Sequence, residues 1–189
     1  MGRRAGEITA IVLCGGGGRR MGGLDKPLIE LDSQPIIERV LDALARECAS
    51  VVISANRNLE TYARYGKVVT DQRPDRGPLE GIACCLSEVT TPWAFVCPGD
   101  GPFIHAEIPR LLHQSLQEGS AQLALAHDGQ RLQHLHVMLS PSLKQSINDY
   151  LDTGHRSVHG WLQSQDFNEV LMADHANAFR DLDQPEDLN

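Results

Sequence analysis

The 189-residue sequence predicts a three-layer α/β/α fold of the Rossmann-like kind, built on a mostly parallel sheet. Three observations carry this reading. Short strand-like segments alternate with helix-like ones along most of the chain. The early strand-like segments are unbroken apolar runs rather than alternating ones, as in strands buried on both faces. Aromatic residues are only 5% while glycine numbers 17, a balance that suits glycine-looped α/β connections better than an aromatic-rich sandwich.

Each element has its own signal. Residues 8–14 (Ile-Thr-Ala-Ile-Val-Leu-Cys) form a β-prone run that stops at Gly15-Gly-Gly-Gly18. In 35–47, Ile36, Ile37, Val40, Leu41 and Leu44 recur at helical spacing, and Ser33 and Pro35 suit a helix entry. Residues 51–54 make a second buried strand, 59–65 a short helix and 67–70 a third strand. Residues 79–89 read as helix, and 93–97 as a fourth strand stopped by Pro98-Gly99. A helix over 108–118 precedes a strand over 122–126. Asp128-Gly129 is a turn signal, so 122–127 and 135–139 are expected to form an inserted antiparallel hairpin. Residues 141–151 are again helical, and the polar, His-rich remainder carries no clear period. Without repeat, linker or low-complexity segment, the expectation is one domain over 1–189, with a flexible N-terminus over 1–7.

Composition excludes several classes. Hydrophobic residues at 41% and charged residues at 22% support a full core, roughly 70% of the unfolded surface being buried at this length. No apolar run approaches the roughly 18 residues of a membrane span, so no membrane partner is expected. Residues 8–14 are too short and glycine-flanked for a secretory signal. A net charge of −8 argues against nucleic-acid coating. The five cysteines (Cys14, Cys48, Cys84, Cys85, Cys97) lie in apolar segments with no CxxC spacing. They read as core residues of a cytoplasmic protein.

The chemistry is sought beyond the carboxyl ends of the strands, where open α/β sheets bind ligands. There the sequence gathers a glycine loop with Arg19, Arg20 and Lys26 after the first strand. Asn56 and Arg57 follow the second, Asp71 the third and Asp100 the fourth. Glycines let backbone N–H groups approach phosphate oxygens, and cations stabilise a departing pyrophosphate. A carboxylate facing polyphosphate makes sense with Mg²⁺ between them. The P-loop pattern fails because Lys26 is followed by Pro27, and GxGxxG fails at Arg20 or Met21.

Leu13-Cys-Gly-Gly16, Arg20-Met-Gly-Gly and Asp25-Lys26 resemble the signature of nucleotidyltransferases with the sugar-nucleotide pyrophosphorylase-like fold. Within them the chain is similar to the molybdenum cofactor guanylyltransferase (MobA) family. The likeness continues through Leu28–Leu31 with Pro35, Ser54-Ala-Asn-Arg57, Asp71, Gly77-Pro-Leu-Glu-Gly-Ile82, Pro98-Gly-Asp-Gly-Pro-Phe-Ile104 and a closing segment over 179–188. The resemblance implies transfer of GMP from GTP to the terminal phosphate of molybdopterin, with release of pyrophosphate and Mg²⁺ as cofactor. It implies GTP contacts at Leu13, Cys14, Gly15, Gly16, Lys26, Ser54, Asn56, Asp71 and Asp100. Arg20, Lys26 and Asp100 would be catalytic, and Asp100 would hold the metal with Asp183 beside it. It further implies molybdopterin, other cofactor-assembly proteins and molybdoenzyme chaperones as partners. The Gly15-Gly16 pair resembles guanylyl-specific rather than cytidylyl-specific members.

Some positions depart from the family pattern. Gly99-Asp100-Gly101 stands where Cys-Asp-Thr is usual, Cys14 and Glu80 where alanine is usual, and Ser54 where asparagine is common. Asp181 and Asp183 replace asparagines. Asp25 is read as a turn or brace residue without a catalytic role. His134 and His136, two apart, would face one side of a strand, and solvated or hydrogen-bonded histidines are favoured over a metal pair. Arg131, His134 and Arg156 are nevertheless acceptor-side candidates by resemblance, with His136, His155 and His159 nearby in sequence. Two other readings stand beside the main one: a CTP-dependent or sugar-phosphate-directed enzyme of the same fold, and a GTP-binding protein without catalysis.

Overall fold

The computed structural model describes residues 6–15, 25–117 and 119–180. The glycine loop from Gly16, with Arg19 and Arg20, and the segment holding Asp181 and Asp183 lie outside the described residues. So does most of the expected flexible start.

Strand β1 (Ile8–Leu13) lies in the middle of a seven-stranded sheet. It pairs in parallel with β4 (Ser50–Ser54) on one side and β6 (Trp93–Pro98) on the other. Strand β5 (Lys67–Val69) continues in parallel beside β4. Beyond β6 come β8 (Leu132–Leu139), then β7 (Leu123–His127), then β9 (Asn168–Leu171). Among these strands only β8 runs against the rest.

Alternation along β1 divides the interior into two cores. Ile8, Ala10 and Val12 join Phe95 of β6 and Met138 of β8 under α1 (Ile36–Leu44) and α4 (Glu107–Ser115). Ile11 points to the other face. There Val96, Leu125 and Val137 pack under α3 (Pro78–Leu86), α5 (Lys144–Asp152) and α6 (Val158–Leu162). The period of two that sends successive side chains to opposite faces thus makes the three layers. A short helix α2 (Leu59–Tyr62) joins β4 to β5 and buries Tyr62. Cys14, Cys84, Cys85 and Cys97 are buried, Cys48 is half-buried, and none is disulfide-bonded. No helix among the described residues is long and apolar enough to cross a membrane.

Three local features differ from the sequence expectation. Glu30–Leu31 and Gln34–Pro35 form a small antiparallel pair, β2 and β3. Asp32 and Ser33 both take positive φ at its turn (50° and 65°), as a two-residue hairpin of matching twist requires. Ser33 is therefore a hairpin residue, and the helix starts directly after Pro35. The expected helix over 141–151 opens with a 3-10 turn, Pro141–Leu143, before α5. The weakly patterned end contains α6, β9 and a 3-10 stretch Ala173–Phe179.

The predicted hairpin is present, but with an irregularity. Leu125 pairs with Val137 while Ala126 pairs with Gln133, so residues 134–136 bulge out of β8. His134 and His136 consequently do not share a side. His134 meets His159 of α6, whereas His136 is buried with its ring edge-on to Phe179 at 4.9 Å. The Nδ1 atom of His136 has no hydrogen-bond partner.

Burial pushes His136 down to about 4 from its ordinary value of 6.5. As pH falls through this window the unfolded chain takes up a proton that the folded chain rejects. Its contribution to stability is therefore complete above pH 6.5 and lost progressively below it. Between pH 7 and pH 5 this one group is expected to cost roughly 2 kcal/mol. Urea denaturation at both pH values should show that loss in the parent chain and not in His136→Leu. An equal loss in the variant would assign the effect to another group.

Candidate active site at the carboxyl edge of the sheet

The carboxyl end of β1 is fastened on both sides. The amide of Cys14 donates to the carbonyl of Ser54 at 2.8 Å, and the amide of Gly99 donates to the carbonyl of Leu13 at 2.9 Å. Leu13 itself is paired with Ser54 and Pro98. Gly15, the last described residue before the glycine loop, is exposed at this tip. A side chain there would reach Asn56 Nδ2 at 3.7 Å.

Asn56 and Asp71, which follow β4 and β5, hold each other through two hydrogen bonds. Asn56 Nδ2 donates to Asp71 Oδ2 at 2.8 Å, and the Asp71 amide donates to Asn56 Oδ1 at 2.9 Å. Burial raises the Asp71 carboxyl above its ordinary range; the Asn56 bond opposes this and Glu80 adds to it. Ser54, buried, and Asp71 both crowd Gly81 of α3. A Cβ at residue 81 would overlap Ser54 Oγ and lie 3.3 Å from Asp71 Oδ1. The glycine is needed for this close approach of helix to strand ends.

Lys26 opens the 3-10 turn Lys26–Leu28. The residue before it, Asp25, is buried; it accepts a hydrogen bond from Asn58 Nδ2 at 2.9 Å and lies 4.0 Å from Arg57. Asn58 takes a left-handed conformation (φ 52°) in making this contact. Asp25 is thus a brace that ties the end of the glycine loop to the segment after β4, as its sequence position suggested. Asp100 sits half-buried past the tip of β6. Burial chiefly raises the Cys14 thiol above its ordinary range, and the Asp25 and Asp100 carboxylates both add to the rise. Asp25, next to Lys26, and Asp100 past the tip of β6 thus both lie near Cys14, the residue that follows β1.

Two departures from the family pattern meet in this contact. Cys14 Sγ lies only 2.6 Å from where a Cβ on residue 99 would stand, and Leu13 O and Val12 Cγ1 lie 3.2 Å from it. Glycine at 99 and cysteine at 14 fill one space together. The larger side chain on one strand requires the absent side chain on the other.

The acceptor-side candidates line the continuation of the same edge. Because β8 is antiparallel to β6 and its last pairing there is Val96 with Val137, the start of β8 reaches past the β6 tip, where Leu132 pairs with His127 at the end of β7. His134 Nε2 and His159 Nδ1 are 3.0 Å apart. Burial first, then His159 and Arg131, hold His134 below its ordinary range. Arg156 is exposed, and its carbonyl lies 3.5 Å from the Cβ position of Gly77 at the start of α3. Arg131 is exposed at the hairpin turn, 4.0 Å from Asp128. His155 stacks on Tyr150 with ring centroids 5.2 Å apart. Of the expected site residues, Gly16, Arg20 and Asp183 lie outside the described residues.

Sequence reasoning missed the role of Glu80. Its carboxylate is 1% exposed and is met by Arg73, whose amide and Nε donate to it at 3.1 and 2.8 Å. Arg73 also reaches Asp152 at 2.6 Å and Asn148 at 3.0 Å on α5. A buried ion needs such a complete set of partners. Here the set fixes the loop carrying Asp71 against two helices. The signal in the sequence was only an acid inside an apolar helix.

The model for the MobA-like NTP transferase domain matches residues 10–169, and the chain belongs to this family. It is 35% identical over 181 residues to the molybdenum cofactor guanylyltransferase of Shewanella piezotolerans, covering 95% of this chain and 89% of that one. The protein of the same name from Shewanella sediminis is 34% identical over 182 residues, covering 95% and 93%. Among solved structures, the molybdopterin-guanine dinucleotide biosynthesis protein A of Archaeoglobus fulgidus matches with a TM-score of 0.77 at 19% identity, covering 95% and 94%. The 4-diphosphocytidyl-2C-methyl-D-erythritol synthase of Anaerococcus prevotii matches with 0.71 at 13% identity, covering 97% and 95%. These two share the fold, and the chain is a nucleotidyltransferase of this α/β class.

The contact between residues 14 and 99 makes a coupling prediction. Gly99→Ala should destabilise the chain by about 1–3 kcal/mol through overpacking. In the Cys14→Ala background, with the sulfur gone, the same change should cost at least about 1 kcal/mol less. Urea unfolding of the four-member cycle measures this, and strictly additive effects would refute the shared space.

Proposed function

We propose that the chain transfers GMP from GTP to the terminal phosphate of molybdopterin, releasing pyrophosphate. The observation that carries this reading is the convergence of Leu13–Gly15, Ser54, Asn56, Asp71, the Lys26 turn and Asp100 on one sheet edge, in a chain whose relatives bear the guanylyltransferase name.

On this reading, Leu13, Cys14, Gly15 and Gly16 line the base and ribose side. Ser54 and the Asn56–Asp71 pair present hydrogen-bonding groups to the nucleoside, held in place before substrate arrives. Lys26 and Arg20 face the phosphates. The attacking phosphate oxygen is ionised near neutral pH, so the site needs no strong base. That oxygen forms a bond to the α-phosphorus while the bond from it to the β-phosphate bridging oxygen breaks, and pyrophosphate leaves with the electron pair. Catalysis then rests on in-line placement and on cations that offset the charge of two approaching anions.

The donor chemistry of the site fits Mg²⁺. Asp25 is engaged by Asn58 and Arg57; Asp100, past the β6 tip, would hold the ion, with Asp183 proposed beside it. Such an ion typically binds one or two carboxylates plus substrate phosphates, and it would screen the charge on them. Arg180, the last described residue before the segment bearing Asp183, has its guanidinium 5.9 Å from the ring of Phe103, three residues past Asp100.

His134, held neutral near pH 7 by its surroundings, suits hydrogen bonding to a pterin, while Arg131 and Arg156 supply charge for its phosphate. The five unpaired cysteines suit a reducing, cytoplasmic setting.

Pyrophosphate release with purified molybdopterin and each of GTP, CTP, ATP and UTP tests the proposal. GTP should be favoured at least about tenfold, a difference of about 1.4 kcal/mol. Lys26→Ala and Asp100→Ala should each lower kcat/KM by at least roughly 100-fold. Preference for CTP, or near-parental turnover in both variants, would overturn the nucleotide or the site assignment respectively.

A further inference from the structure

A second group of possible metal ligands lies apart from the nucleotide edge residues. His105 follows the Asp100 loop, Glu107 opens α4, and His175 belongs to the 3-10 stretch near the chain end. One donor atom from each lies within 4.8 Å of the other two. His175 Nε2 and Glu107 Oε2 are 3.6 Å apart. The two imidazoles stack, with centroids 4.6 Å apart and planes at 29°. We propose that His105, Glu107 and His175 form a binding site for a dication of the zinc class, with water completing the coordination.

The geometry supports this assignment. Ligands about 2.0–2.1 Å from a tetrahedral zinc stand roughly 3.3–3.5 Å from one another, close to the 3.6 Å already present between His175 and Glu107. Closing the group on one ion requires the two stacked rings to turn so that a nitrogen of each faces Glu107 Oε2. Glu107 is prepared for single-oxygen binding: Arg110 Nη2 donates to Oε1 at 2.6 Å, leaving Oε2 toward His175. Such an outer hydrogen bond is what orients a ligating carboxylate. His105 Nδ1 accepts from the Glu107 amide at 3.3 Å, a long contact that metal binding through this nitrogen would replace. The 3-10 stretch breaks at His175 (φ −108°, ψ 16°), which sets that residue apart from its neighbours on the turn.

The chemistry of the donors selects the metal. Two imidazoles and one carboxylate match zinc, cobalt or nickel, whereas Mg²⁺ prefers an all-oxygen octahedron. The site is thus chemically distinct from the one proposed at Asp100. Three protein ligands with an open fourth position could hold water or an exchangeable group. The bound ion would staple the loop after β6 and the start of α4 to the segment 173–180, stretches more than sixty residues apart in the chain. The inference does not depend on which nucleotide the enzyme uses.

Cobalt(II) titration of the full chain, in excess Mg²⁺, tests it. One equivalent should bind and give the visible absorption of a four-coordinate ion, and zinc should displace it. Outer-sphere partners alone are worth roughly 10–100-fold in metal affinity, so His105→Asn, His175→Asn and Glu107→Gln should each weaken binding by at least about 100-fold. Asp100→Asn should leave the cobalt spectrum unchanged. Zinc at a hundredfold excess over Kd should raise Tm by roughly 5–10 °C in the parent chain and not in the variants. The absence of stoichiometric binding, or a spectrum that survives the three substitutions, would overturn the proposal. An ion pair between His175 and Glu107 with no metal affinity gives the first of these results.

Discussion

The constraint on which the structure turns is the position of β1, buried between two parallel neighbours and open only at its carboxyl tip. At that tip the Cys14 amide donates to Ser54 of β4 and the Leu13 carbonyl accepts from Gly99, which follows β6. Every other element of the candidate site is located relative to that tip. Interior packing at native density allows no slack there. The sulfur of Cys14 occupies the space left by the missing side chain of Gly99. The tip of β6, and with it Asp100, can sit beside β1 because one of two facing positions carries almost nothing.

Around this fixed tip, polar groups are satisfied in a way that stiffens the loops rather than the core. Asp25 is buried but met by Asn58, and Asn56 and Asp71 satisfy each other. Glu80 would be a costly buried charge if Arg73 did not meet it and carry the contact on to α5. Asp25–Asn58 and Asn56–Asp71 each link the segment after one strand to the segment after another, and Arg73 links the loop after β5 to α5. Loops at a ligand-binding edge usually lie at the low-stability end of a fold. Loss of Asn58 or Arg73 would take a partner from a buried carboxylate, which ties those loops to their neighbours.

Much of this was legible in the sequence because the parallel strands are apolar runs closed by abrupt polar stops. That pattern located β1, β4, β5 and β6, and strand ends locate ligands in such folds. The Asp128-Gly129 turn likewise announced the hairpin of β7 and β8. The illegible parts have physical reasons. β2 and β3 are two residues each, too short to show a period, and Ser33 with Pro35 reads as a helix entry until the pairing is seen. β9 is an edge strand with two exposed positions in four, so burial left little mark on it. A bulge cannot be read from alternation, since it is the failure of alternation; His134 and His136 were expected on one side for that reason. The grouping of His105, Glu107 and His175 depends on a long-range return of the chain that no local pattern records.

The single reversed strand gives the site its second wall. Parallel strands end together at one edge, and left alone they would offer only tips and loops. By running the other way, β8 brings its start rather than its end to the carboxyl edge, past the last β6 pairing and beside the end of β7. The bulge then turns one histidine to α6 and buries the other against Phe179. Asp100 follows the end of β6 while His134 lies near the start of β8, so strand ends and a strand start meet at one edge. On the proposed reaction two phosphate-bearing molecules must meet there, and an antiparallel strand in an otherwise parallel sheet is a direct way to set a second surface beside the first.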